Sequence, residues 1–189
     1  MSKEDIVKHA IICFAADGYE GTSITTILKK AKATKGQLYH HFTSKEDLFV
    51  KAAFNCHPDD SAGAFIGLSK AKTKLAYKKQ FLQFGLQLIT HYQTNKILAK
   101  FSMETMRVVS RNSKIAKKIV KKGDEQKPLM VKSIQHGQDI GAFNKKYDLE
   151  YIIFRIKSTL DTIILHNAMN TCMFDYTKMW KRTTEELFQ

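Results

Sequence analysis

At 189 residues, 43% of them hydrophobic, the chain is long enough to bury a real core and too apolar for a disordered polyelectrolyte. Its 31 Lys+Arg against 18 Asp+Glu give a formal charge of +13, which favours anionic partners (nucleic acid, an anionic membrane face or acidic ligands) without specifying a fold. No run of about 18 apolar residues occurs, which excludes a membrane-spanning helix, and charges interrupt the first apolar patch at helical spacing, unlike a signal peptide.

Only Pro58 and Pro128 interrupt the chain and no stretch alternates apolar and polar residues for long, so an all-α fold of about nine helices is expected. The first spans about 3–17, with Ile6, Ala10 and Phe14 every four residues, Val7 and Ile11 beside them, and Gly18 placed to close it as a left-handed residue. Ser23 is positioned as N-cap of a short second helix carrying Ile24, Ile27 and Leu28. Lys32–Ala33–Thr34 breaks the pattern, and a third helix covers about 35–41, anchored by Leu38 and Phe42. Ser44 with Asp47, in "SKED", has the form of a capping box opening a fourth helix to about Phe54.

The segment "NCHPDDSAGAFIG", 55–67, gathers Pro, Gly, Asp and Ser and reads as the joint between a head, residues 1–50 with a linking helix over 44–57, and a body, 58–189. Longer helices follow at about 72–94, 96–111, 114–138, 148–171 and 174–188, and Gly123 with Pro128 should bend or split the third of these. Residues 1–50 hold 7 Lys+Arg and 6 Asp+Glu, whereas 70–132 hold 16 and 3, so along the sequence the positive excess falls in the body. Cys13, Cys56 and Cys172 are odd in number, far apart and without C-x-x-C pairing, which suits a reducing cytoplasm better than a disulfide framework.

Two short helices joined by three residues, behind a longer first helix, make a helix-turn-helix candidate. In "KATKGQLYHHF", Leu38 and Phe42 supply a core edge, while Thr34, Lys35, Gln37, Tyr39, His40 and His41 offer hydroxyl, ammonium, amide, phenol and imidazole groups to a groove. Gly36 has no side chain to hold a phosphate away from its N–H, and Lys45 follows just past the helix. Gln37 is the candidate for bidentate pairing with adenine, and the two histidines for donation to phosphate oxygen. The plain alternative leaves His40 and His41 as surface residues of a small helical domain.

The stretch "FAADGYEGTSITTILKKAKATKGQLYHHFTSKEDLF" resembles the N-terminal DNA-binding domain of the TetR family of transcriptional regulators, through Phe14, Gly18–Tyr19, Thr22–Ser23, Ile27, Lys35–Gly36, Leu38–Tyr39, His41–Phe42 and Lys45–Glu46. It covers about residues 5–50, a quarter of the chain. The resemblance implies an all-α homodimer with a three-helix head and a helical ligand-binding and dimerisation body, released from an operator by a small-molecule inducer. It places Thr25, Thr34, Lys35, Gly36, Gln37, Tyr39, His40, His41 and Lys45 at DNA-contacting positions. One departure is Lys32, where the family usually has glycine, so this residue must accept an unusual backbone conformation or the turn must differ.

In the body, Ile152, Ile156, Leu160, Ile163 and Ile164 form one apolar stripe, and Tyr176, Met179, Trp180 and Leu187 another. Much of both must be core; the resemblance adds that the last two helices pair with their mates as a four-helix bundle, with Ile156, Leu160, Ile163, Ile164, Tyr176, Met179 and Trp180 as the interface candidates. Phe81, Phe84, Tyr92, Phe101, Met103, Met106, Met130 and Phe143 are most simply core, yet Met with aromatics also suits a permissive cavity. Phe84, Tyr92, Phe101, Met103, Met106, Met130 and His136 are the pocket candidates. The lysine-rich middle suits either an anionic or amphiphilic inducer or a solvated face lying over DNA phosphates, and the solvated face is the simpler reading.

His9 and Cys13 share a helical face without a third ligand, and Cys56, His57, Asp59 and Asp60 suit a solvated turn as readily as a metal, so neither metal nor cofactor is expected. No catalytic triad order, phosphate loop or H-E-x-x-H occurs, and His136 and His166 are isolated on helices, so no enzyme activity is expected. The expected function is a ligand-responsive DNA-binding regulator, a cytoplasmic repressor on a palindromic double-stranded operator. The alternative is a structural protein that binds nucleic acid or other polyanions non-specifically through the basic body.

Overall fold

A computed structural model of the chain describes residues 2–56, 61–171 and 173–188. Among these there are ten helices and no strand: α1 Lys3–Gly21, α2 Ile24–Ala31, α3 Lys35–His41, α4 Lys45–Asn55, α5 Ser61–Ser69, α6 Lys74–Thr94, α7 Lys96–Arg111, α8 Ser113–Asp139, α9 Leu149–Ala168 and α10 Tyr176–Phe188. The chain divides into two compact units, residues 1–57 with 95–122 and residues 58–94 with 123–189.

The first unit owes its short helices to local caps. The Ser2 hydroxyl accepts from the Asp5 N–H while the Asp5 carboxylate accepts from the Ser2 N–H, opening α1 with two orphan donors satisfied. Ser23 caps α2 through the Thr26 N–H, and Ser44 caps α4 through the Asp47 N–H. The Asp47 carboxylate reaches past Ser44 to the Thr43 N–H, so the expected box closes one residue early. Gly18 does have positive φ, but at φ 72 and ψ 168 it kinks the chain rather than adopting a left-handed helical turn. Burial follows the expected period, with Ile6, Ala10 and Phe14 fully enclosed. Phe14, Tyr19, Phe49 and Phe101 pack with ring centroids 4.9 to 6.2 Å apart. The last of these rings comes from α7, which packs against α1.

That packing relocates the charge. Residues 1–57 and 95–122 together hold 17 Lys+Arg against 7 Asp+Glu, a net of +10 out of +13. Linear distance therefore misleads: most of the excess belongs to the compact unit that contains α3, not to the remainder.

The second unit centres on Trp180, which is fully buried, donates its indole N–H to the Leu82 carbonyl at 3.0 Å and stacks on Phe81. Tyr77, Phe143 and Phe188 complete the aromatic centre. Buried Tyr77 donates to the Ser133 carbonyl, and its surroundings push the phenol well above its usual range by desolvation. Asp148 caps α9 through the Tyr151 N–H, and Arg155 pairs with Glu186 at 2.8 Å between α9 and α10.

Two expectations need qualifying: the unit boundary at 57–58 does fall within the segment read as the joint, and α8 is not split. Part of the segment read as an irregular joint is α5, because Leu68 and Phe65 pack into the second unit's core and their burial outweighs the helix cost of Gly63 and Gly67, about 1 kcal/mol each. And α8 continues through both Gly123 and Pro128, although the boundary between units falls at 122–123, beside that glycine. Proline removes one hydrogen bond, and the buried residues Ile115, Ser133 and Ile134 anchor the helix to either side of it.

Candidate nucleic-acid interface

The Thr34 hydroxyl accepts from the Gln37 N–H at 3.2 Å, and the Gln37 Oε1 accepts from the Thr34 N–H at 2.9 Å, a reciprocal box that starts α3. Its seven residues then separate cleanly into faces. Leu38 is fully buried and Phe42, at the C-cap, nearly so, while Thr34, Lys35, Gly36, Gln37, Tyr39 and His40 are exposed and His41 is half-buried. The Tyr39 ring is 55% exposed, a large aromatic that the unit makes no attempt to cover. Thr25, in the first turn of α2, is exposed as well.

The turn between α2 and α3 is tight. Lys32 lies at φ 52, ψ 39, a left-handed position that glycine would occupy without steric cost. Its N–H and that of Ala33 satisfy the Leu28 and Lys29 carbonyls, so the unusual conformation is fixed by a closed set of hydrogen bonds. Lys32 thus accepts the backbone conformation the sequence leaves in question.

Two residues differ in detail from the sequence reading. With its Oε1 committed to the Thr34 N–H, Gln37 would have to share that oxygen to pair bidentately with adenine; what it offers freely is its NH2. Lys45 is half-buried, and its ammonium donates to the carbonyls of Tyr19 and Thr22 at 2.9 and 3.1 Å and lies 4.3 Å from the Tyr19 ring centroid. These carbonyls are left open where α1 ends, so the lysine acts there as a cap. His40 and His41 meet edge to face at 4.8 Å, and among the described residues no hydrogen bond occupies their ring nitrogens.

A long-range brace went unseen in the sequence. The Glu104 carboxylate of α7 accepts from the Tyr19 N–H at 2.6 Å and pairs with Arg107, fixing the corner after Gly18. No local pattern signals a partner 85 residues away. Desolvation raises this carboxyl, but the hydrogen bonds from Arg107 and the Tyr19 N–H, with the Arg107 charge, bring it below its ordinary value. Burial, with Glu46 and Glu20 adding to it, pushes the Tyr19 phenol up to about 12.

The pocket candidates divide between the two units. Phe101 lies in the first unit's aromatic core, and Met103 and Met106, the latter 45% exposed, share its helix. Phe84 and Tyr92 are buried in the second unit and Met130 is half-buried there. Of the seven, His136 lines an open groove of about 410 Å³ on the second unit, with Ser69, Pro128, Val131, Lys132, Gln135 and Asp139. Its Nε2–H donates to the Ala71 carbonyl at 2.8 Å.

The interface candidates need a similar correction. Ile156, Ile163, Ile164, Tyr176 and Trp180 are buried within the second unit itself, where α9 packs on α6 and α10, and α10 on α6; Leu160 and Met179 are half-buried. What α9 leaves uncovered is another stripe, Phe154, Leu165 and Met169, followed by Met173 and Phe174.

Cys56 is buried and its thiol donates to the Ala53 carbonyl; His57, Asp59 and Asp60 of the "CHPDD" segment lie outside the described residues, as does Cys172. His9 donates to the Asp5 carbonyl, burial pushes the Cys13 thiol up, and His166 meets the Tyr176 hydroxyl. Among the described residues no group of three or more potential metal ligands assembles, and no helix is long and apolar enough to cross a membrane.

Residues 6–52 match the family model described as bacterial regulatory proteins, tetR family. The biofilm operon icaADBC HTH-type negative transcriptional regulator IcaR of Staphylococcus aureus is 27% identical over 137 residues, 69% of this chain and 74% of that one. The regulator of the same name from Staphylococcus epidermidis is 37% identical over 54 residues, so this chain spans only 29% of that relative's length. Among solved structures, FadR from Bacillus subtilis in complex with stearoyl-CoA superposes with a TM-score of 0.72 at 19% identity, over 100% of this chain and 98% of that one. FadR from Bacillus halodurans gives 0.74 at 19%, over 96% and 92%. At these identities the structural likeness is one of fold.

Proposed function

We propose that the chain is a TetR-family transcriptional regulator, a DNA-binding protein rather than an enzyme, and that it is a repressor: a homodimer holding a palindromic operator until a small molecule binds the second unit. The observation that carries the proposal is the division of α3, with Leu38 and Phe42 turned into the core and Thr34, Lys35, Gly36, Gln37, Tyr39 and His40 turned outward. An outward polar edge on a short, capped helix is what a major groove admits. On this reading the Gln37 NH2 donates to guanine O6 or N7 or to thymine O4, while Lys35, the Gly36 N–H and the histidines meet phosphate. Lys45 serves mainly to hold the helix-turn-helix together.

Repression is supported by the IcaR relatives, named negative transcriptional regulators. A ligand is supported by the fold neighbour that carries stearoyl-CoA. Residues 1–50, within the first unit, then read DNA, and the second unit, 58–94 with 123–189, binds the ligand and the partner. The uncovered stripe of α9, Phe154, Leu165 and Met169, supplies the apolar surface a partner copy would bury. A two-fold pair of this kind sets its recognition helices one helical turn apart, roughly 34–36 Å. Induction requires the ligand to prefer the state whose helices miss that spacing, since equal affinity for both states moves nothing. The cytoplasm is the setting in which such a complex and reduced cysteines coexist.

Selection of duplexes from a random-sequence pool by the purified protein, with its mass followed by light scattering, tests this. An inverted repeat bound by a dimer is expected. Absence of any sequence enrichment, or a protein that stays monomeric on DNA, would overturn it; binding with a steep salt dependence and no sequence ratio would instead support the non-specific polyanion binder.

A further inference from the structure

We infer that the lysine ridge at the start of α8 is a second DNA contact, gripping phosphates that α3 does not reach. The inference rests on the reading of α3 as the DNA-reading helix, and three features of the first unit lead to it. The first is composition: residues 95–122 hold nine Lys+Arg and one acid, Glu104. The second is register. Within α8, Lys114 is followed by Lys117 and Lys118 at three and four residues, and each of these by Lys121 at four and three, so the four lysines fall along one side, and all are exposed. Ile115 is fully buried and Ile119 packs on the first unit's core; Val120 is exposed among these lysines.

The third is placement. The ammonium groups of Lys114 and Lys118 lie 3.0 and 3.4 Å from Glu46 Oε2, in the first turn of α4 and five residues beyond His41. Lys122, further along, sits over the Phe54 ring of the same α4. The ridge therefore runs along the helix that follows α3 directly, and begins at the end nearer to it.

A helix face that is merely solvated usually interleaves opposite charges at spacings of three and four, which relieves repulsion. This one does not. Glu46 meets two of the lysines with a single negative charge, and neither Lys117 nor Lys121 meets a carboxylate among the described residues. Repelling cations on one edge of a DNA-reading unit are relieved by a polyanion, and bound DNA displaces counterions there. An anionic membrane fits less well, because a surface-lying helix needs an apolar face beside its basic one, and here Val120 is the exposed aliphatic between the lysines.

The test compares wild type with the double variant Lys117→Ala/Lys121→Ala, on a pool-selected duplex and a scrambled duplex of the same length, across a salt series. Unfolding curves confirm that both proteins are folded. The variant should bind both duplexes roughly ten-fold or more weakly near 0.1 M salt, with a log–log salt slope shallower by about 2 and an unchanged ratio between duplexes. Glu46→Gln, which releases Lys114 and Lys118, should shift affinity and slope the other way. Identical slopes for wild type and double variant overturn the inference. So does a loss confined to phosphatidylserine vesicles with DNA binding intact. Should wild type not distinguish the two duplexes while the double variant still weakens both, the ridge stands and the reading of α3 falls.

Discussion

In the first unit Gly36 stands on an open helical surface, where an added Cβ would meet nothing closer than the Thr34 hydroxyl at 3.9 Å; in the second unit Gly85 lies against the Trp180 ring, where a Cβ would collide with Cε2 and Nε1. One glycine has room around it for a side chain. The other is required by a neighbour. The units differ in charge in the same sense: +10 for the first and +3 for the second. An open glycine on the outward side of α3 leaves its backbone accessible, whereas a glycine that admits a ring accounts for its own core.

The largest effect expected of this comparison is at Gly85. Gly→Ala inside a helix ordinarily stabilises by roughly 0.5–1 kcal/mol. Here the methyl collides with a fully buried indole whose N–H is tied to the Leu82 carbonyl, so Trp180 cannot simply retreat. Gly85→Ala should destabilise by about 3 kcal/mol, the upper end of ordinary overpacking, and shift Trp180 fluorescence to the red. Urea unfolding followed by that fluorescence measures both; unchanged stability would mean the indole does not occupy this site.

These regions also differ in how far they could be read from sequence. The start of each of α2, α3 and α4 follows from residues within three positions of it, Ser23 with Thr26, Thr34 with Gln37 and Ser44 with Asp47, so the helix-turn-helix was legible almost to the residue. Lys45 was not, because its acceptors, the Tyr19 and Thr22 carbonyls, lie more than twenty residues upstream and any exposed-looking lysine invites a phosphate. In the second unit the stripe of Ile156, Ile163 and Ile164 was found correctly, yet a period identifies a buried face without saying what buries it. The answer there is α6 and α10, and the exposed Phe154, Leu165 and Met169 carry a weaker periodic signal among polar residues. α5 was lost for the opposite reason: its glycines and serines read as a loop, and the contacts that make it a helix belong to other helices.

A smaller effect, confined to the first unit, is expected at Glu104. Its carboxylate binds the Tyr19 N–H and Arg107, and hydrogen bonds to charged groups contribute about 1.5–3 kcal/mol. Glu104→Gln should therefore cost about 2 kcal/mol at pH 7. A carboxyl held lower in the folded than in the unfolded state stabilises fully above its unfolded value, and that stability fades as pH falls through the folded value. For Glu104 the window lies below the ordinary 4.5. The gap between wild type and variant should close as the pH is taken down through that range; a gap independent of pH would assign the loss to packing instead.

Gly36→Ala sharpens the comparison because its sign should oppose that at Gly85. With open space around it, the alanine should raise stability by roughly 0.5–1 kcal/mol. If the bare backbone here approaches phosphate, the same change should weaken binding to a pool-selected duplex several-fold. Unfolding and band-shift measurements on the one protein separate the two effects, and tighter binding alongside higher stability would remove Gly36 from the interface.

The smallest effect is at Lys32, where two terms nearly cancel. A left-handed conformation costs a residue with a Cβ about 1–2 kcal/mol, and glycine removes that cost. Glycine also widens the unfolded ensemble, which takes back roughly 0.5–1 kcal/mol. The difference leaves Lys32→Gly more stable by about 0.5 kcal/mol, provided the Lys32 and Ala33 N–H groups keep their bonds to the Leu28 and Lys29 carbonyls. Proline at this position offers the contrasting case, since its fixed negative φ and missing N–H break both the conformation and the cap. A urea series over Lys, Gly and Pro at this one position should rank Gly slightly above Lys and both far above Pro. If Lys32→Gly is instead clearly destabilising, the lysine is not held in the left-handed region, and the angle at which α3 leaves the turn must be redrawn.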